Sequence, residues 1–128
     1  MPKPRTRWQA APHEPLQKLS ENLWWVRGPI PGISFNRCMT VARLADARLV
    51  IWSPITLDEP SMAELEGWGT PAFLIAPSAL HRLDVAPYKA RYPAVRVLCP
   101  RGARKAVAEL TPVDGLLEDF PADPQVSF

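Results

Sequence analysis

Ala72-Phe73-Leu74-Ile75-Ala76-Pro77-Ser78-Ala79-Leu80-His81-Arg82-Leu83-Asp84 is the stretch on which the fold turns. Its first five residues are an unbroken apolar run, too short for a stable helix and closed by a proline. Such a run reads as a strand covered on both faces. A short connection follows that carries a serine, a histidine and an acid. Asp84 then stands where a helix N-cap would, and Pro87 is tolerated in the first turn of that helix. The helix ends near Tyr92, because Pro93 disfavours helical backbone before it.

Working outward, Val95–Cys99 reads as the next strand, and Pro100-Arg101-Gly102 turns into a short helix near 103–110. Upstream, Asp58 caps a helix whose inner face carries Met62 and Leu65, and Gly67 and Gly69 stop it. Cys38–Leu44 and Arg48–Trp52 form a hairpin around Ala45-Asp46-Ala47, with Asp46 expected to take the special turn conformation. Leu23-Trp24-Trp25-Val26 reads as the first strand. The alternation of strands and helices predicts an α/β fold, a mixed β-sheet with flanking helices and right-handed crossovers.

Around this unit, residues 1–18 read as an N-terminal arm and 111–128 as an acidic C-terminal tail, both solvated. The 128 residues suit one domain, here 19–110. A formal charge of +2 excludes a polyanion binder by composition. No stretch approaches the ~18–20 apolar residues of a membrane span, and no apolar run follows the basic N-terminus, so the expected location is cytoplasmic. Cys38 and Cys99 lie in apolar stretches and are expected as buried free thiols. Trp24, Trp25 and Trp52 are expected in the core, and Trp8, in the arm, is the one tryptophan that could instead serve as a hook for a partner.

Two constellations carry candidate chemistry. Ser78, His81 and Asp84 offer a nucleophile, a base and an orienting acid. No Gly-x-Ser-x-Gly elbow accompanies them, and each has a structural explanation: strand end, packing beneath a loop, and helix cap. Arg101, Arg104 and Lys105 offer a phosphate site at a helix start, without the glycine spacing of a P-loop.

Five phrases occur in order: Leu23-Trp24-Trp25-Val26, Met39-Thr40-Val41-Ala42-Arg43-Leu44, Trp52-Ser53-Pro54-Ile55, Ile75-Ala76-Pro77-Ser78-Ala79-Leu80-His81 and Tyr92-Pro93. Over residues 19–110 this series resembles a bacterial branch of the metallo-β-lactamase-fold superfamily with a degenerate metal motif. The resemblance implies the N-terminal half of an αββα sandwich. Active members carry His-x-His-x-Asp-His after a buried strand and bind zinc, which activates a water. With Ala79 in the first ligand slot, His81, Leu83 and Asp84 fill the others and Arg82 adds a positive charge between them; with Ser78 in the first slot, no ligand histidine matches. His13 is the only other histidine. The expectation is therefore no bound zinc; any metal would rest on His81 and Asp84. Half a sandwich is expected to leave one sheet face uncovered, to be met by a homodimer or a partner protein. The resulting expectation is a catalytically degenerate module that binds a partner or itself. The alternatives are a metal-dependent hydrolase completed by a second chain, and a weak nucleic-acid or phosphate binder.

Overall fold

The computed structural model describes residues 3–121, 123 and 124. Seven strands form one sheet in the order β1-β2-β3-β4-β5-β6-β7. They are β1 (Gln17–Ser20), β2 (Leu23–Pro29), β3 (Asn36–Arg43), β4 (Arg48–Trp52), β5 (Thr70–Ile75), β6 (Arg96–Cys99) and β7 (Gly115–Leu116). The first four pair antiparallel and the last four parallel. Helices α1 (Glu59–Trp68), α2 (Val85–Arg91) and α3 (Arg104–Ala108) supply the crossovers.

The predicted strand and helix order is present, with a strand added at each end. Gln17–Ser20 pairs with β2 although all four of its residues are exposed. Residues 111–128 are not wholly a tail: Gly115 and Leu116 pair in parallel with β6, anchored by Asp114, whose carboxylate accepts from the Val97 amide at 2.7 Å.

α1 starts as read. Asp58 accepts from the Ser61 amide at 2.9 Å, and Met62 and Leu65 are buried. The helix runs through Gly67 and stops at Gly69. In the β3–β4 hairpin the left-handed residue is Ala47 (φ 68°), not Asp46. Asp46 instead turns its carboxylate onto the Arg48 amide and guanidinium.

One face of the sheet carries Val26, Met39, Val41, Leu49, Ile51, Leu74 and Val97, packed under residues of all three helices. The other face carries Val50, Phe73, Ile75 and Leu98, packed under Leu117 and Phe120. The Phe73 and Phe120 rings lie 5.0 Å apart. The expectation of an uncovered second face is thus corrected over β4–β6, where the chain's own C-terminal segment supplies the apolar cover. Over β2 and β3 the same face presents half-buried Leu23, Trp25, Thr40 and Ala42.

Trp24 is buried and stacks on Trp68 at 3.9 Å, whereas Trp25 and Trp52 are only half-buried. Both cysteines are free; Cys99 is buried as expected, but Cys38 is exposed. Among the described residues no helix is long and apolar enough to cross a membrane.

Candidate functional site

The parallel strands β4 and β5 end side by side, with Trp52 opposite Ile75. Open α/β sheets place their sites beyond such carboxyl ends. The chain leaves β4 through Ser53, whose φ of 56° is a left-handed conformation costing an ordinary residue about 1–2 kcal/mol. Two bonds hold it there. Its amide donates to Ile75 O at 2.9 Å, and its hydroxyl lies 2.8 Å from His81 Nδ1.

His81 closes a short 3-10 turn, Ala79–His81, begun by Ser78, whose hydroxyl accepts from the Leu80 amide at 3.2 Å. Ser78 therefore caps a turn, and the serine beside His81 is Ser53. Burial, and secondly the charge of Arg37, hold the His81 imidazole below its ordinary value near 6.5. The fold thus favours the neutral ring. His81's contribution to stability is complete above about pH 6.5 and is lost as pH falls toward its lower folded value. Urea unfolding at a series of pH values should show this acid loss in the wild type and less of it in His81→Gln.

Asp84 departs furthest from expectation. It precedes α2 but makes no side-chain cap bond. Its carboxylate is 0% exposed and turns inward. Oδ2 accepts from Arg37 Nη2 at 2.7 Å and from the Thr56 amide at 3.0 Å, while Oδ1 lies 3.3 Å from Arg5 Nε. Arg37 is itself only 8% exposed. A buried carboxylate demands a partner far more strongly than a helix start demands a cap, so the ion pair wins.

Arg82 also points elsewhere than expected. Its Nη1 donates to Ala106 O, within α3, and lies 3.0 Å from Glu109 Oε2. The positive charge beside the candidate ligands comes instead from Arg37 and Arg5. Neither was singled out for the site from sequence. Arg37 lies 47 positions from its partner, and no local pattern marks it. Arg101, Arg104 and Lys105 sit apart on the exposed turn into α3.

A zinc ion needs several N, O or S donors at about 2 Å, with their lone pairs free. Here Asp84 Oδ2 is taken by Arg37 and a backbone amide and Oδ1 faces the Arg5 guanidinium at 3.3 Å, while His81 Nδ1 is engaged by Ser53, which leaves that ring a single nitrogen to offer. Among the described residues no group of three or more His, Cys, Asp or Glu is placed to hold a metal ion. The residues present do not fit the zinc that the fold resemblance implies.

Comparison with solved structures places the fold. The metallo-β-lactamase FIM-1 from Pseudomonas aeruginosa, in a mono-zinc form, matches with a TM-score of 0.59 and 11% identity. The match covers 84% of this chain and 51% of that one. A metallo-β-lactamase from Hirschia baltica matches with a TM-score of 0.58 and 16% identity, over 91% of this chain and 57% of that one. The chain therefore has the fold of metallo-β-lactamases over little more than half of their length. No family model and no curated protein sequence matches it.

Proposed function

We propose that this chain is a non-hydrolytic binding module on the metallo-β-lactamase fold, in which a guanidinium–carboxylate lock stands in the place of a metal centre. The observation that carries this reading is the inward turn of Asp84 onto Arg37. A carboxylate already neutralised in a buried pair has little left to offer a divalent cation, and the adjacent guanidinium charges oppose its entry. The test is to dialyse the purified chain against excess zinc, then against buffer, and measure retained metal. Substoichiometric zinc, unchanged in His81→Ala, is expected. One equivalent per chain, lost in His81→Ala, would restore the hydrolase alternative.

The binding mode follows from the second sheet face. Its strip over β2 and β3 keeps Leu23 and Trp25 half-buried beside Thr40 and Ala42, which is the composition of an interface core. A second copy is the simplest partner, because a twofold axis brings the same strip of two copies together. Sedimentation should give twice the 14.3 kDa chain mass, and Trp25→Glu should return it to one. A monomer at every concentration would remove this mode and leave the metal argument standing.

A further inference from the structure

The N-terminal segment lies along the helix-bearing face of the sheet. At one end the Arg5 amide donates to Leu83 O at 2.8 Å, and Arg5 Nε reaches Asp84 Oδ1 at 3.3 Å. In the middle, Trp8 sets its ring edge-on to Tyr88 at 4.7 Å and donates Nε1–H to Leu57 O at 3.3 Å. The Thr56 hydroxyl donates to Gln9 O, and the Ala11 amide to Thr56 O. At the other end Glu14 N–H donates to Arg27 O. There the backbone presses on Gly28 so closely that a Cβ would lie 2.6 Å from Pro12 O. The segment is thus fastened to three separate parts of the fold. Trp8 is no free hook: its ring is also capped by Arg91 at 4.6 Å.

We infer that residues 5–14 are a strap that opens as a unit ahead of the rest of the fold, with Arg5 on Asp84 as its latch. The strap adds no strand to the sheet; its buried side chains are Ala11 and His13, and Trp8 packs half-buried against the main core. The strap is held by separate hydrogen bonds and these few side chains, with no continuous strand pairing, so it belongs to the low-stability end of the molecule. The latch joins this motion to the candidate site. Among the buried side-chain atoms of the described residues, Asp84 Oδ1 and Arg37 Nε have no hydrogen-bond partner, and Arg5 Nε faces Oδ1 at 3.3 Å. Opening the strap therefore uncovers the buried pair and the face of Tyr88 on which Trp8 sits. The strap gates access to Asp84. This inference stands on the geometry of the segment and not on the metal reading above.

Limited trypsin digestion of the full chain tests it, read by mass spectrometry at the Arg7–Trp8 bond, where Arg7 is exposed and Trp8 half-buried. Cutting there requires the strap to lift, whereas cutting after Arg37 or Arg43 requires strands to separate. Wild type should be cut first at Arg7–Trp8, with the remainder intact. Arg5→Gln, which removes the latch charge, and Gly28→Ala, which presses the strap off from its other end, should each speed that cut by roughly ten-fold or more while leaving cuts in β3 slow. Equal rates at Arg7–Trp8 in all three proteins would overturn the latch. Loss of Arg7–Trp8 only together with cuts in β3 would overturn independent opening.

Discussion

Arg37→Leu should lower the free energy of unfolding by about 3–5 kcal/mol, because it strands a carboxylate in the interior. Asp84 is wholly buried and cannot recover water while the helix face stays closed. The Thr56 amide remains as a donor to it, and Arg5, 23% exposed, remains as a weaker counter-charge. Those two keep the chain folded but do not replace a bond of 2.7 Å to a buried guanidinium. The double variant Arg37→Leu/Asp84→Leu should regain most of the loss, since both charges leave together and the pair's own net contribution is small. Urea titration with an unchanged denaturant slope measures both. A single variant within about 1 kcal/mol of wild type would mean that water or Arg5 already satisfies Asp84, and the lock would be no barrier to a cation.

The same residues show how far sequence reading reaches. Phe73, Leu74 and Ile75 were legible as a doubly covered strand because burial on both faces leaves no polar position in the run. Met62 and Leu65 were legible from helical spacing, and Asp58 as a cap from the acid and proline that follow it in the first turn. Gln17–Ser20 was not legible, because an exposed edge strand held by main-chain pairing alone has no side-chain signature. Gly115–Leu116 is too short to carry any period. The candidate site was half legible. His81 could be found from the resemblance, but its partner Ser53 could not, since a residue before proline is expected to be extended. Asp84 was seen and misassigned: capping is a local pattern, whereas its real partners, Arg37 and Arg5, are set by tertiary packing.

Gly67 near the end of α1 and Gly69 just beyond it should respond to alanine with opposite signs, and the contrast isolates how the candidate site is held. Gly69 has extended backbone (φ −174°), which any residue adopts, so its requirement is space. A Cβ there would lie 2.5 Å from Ala47 O and 2.7 Å from Leu49 Cδ2. Neither can give way cheaply. Ala47 O accepts the Thr70 amide at 3.1 Å, the first bond between the chain entering β5 and the β3–β4 turn, and Leu49 is fully buried. Gly69→Ala must push β5 along or away from β4, and should cost about 2–3 kcal/mol. Gly67, two residues earlier, has open space around its Cα, so Gly67→Ala should add about 0.5–1 kcal/mol by removing unfolded-state freedom. Thermal unfolding separates the two readily. The register of β5 also sets where Pro77 releases the chain into the Ser78–Asp84 connection, so Gly69→Ala should disturb the contact between Ser53 and His81 at the far end of the strand. The imidazole proton shifts of His81 would report that disturbance. Unchanged shifts alongside a full stability loss would show that the strand absorbs the strain before it reaches the site.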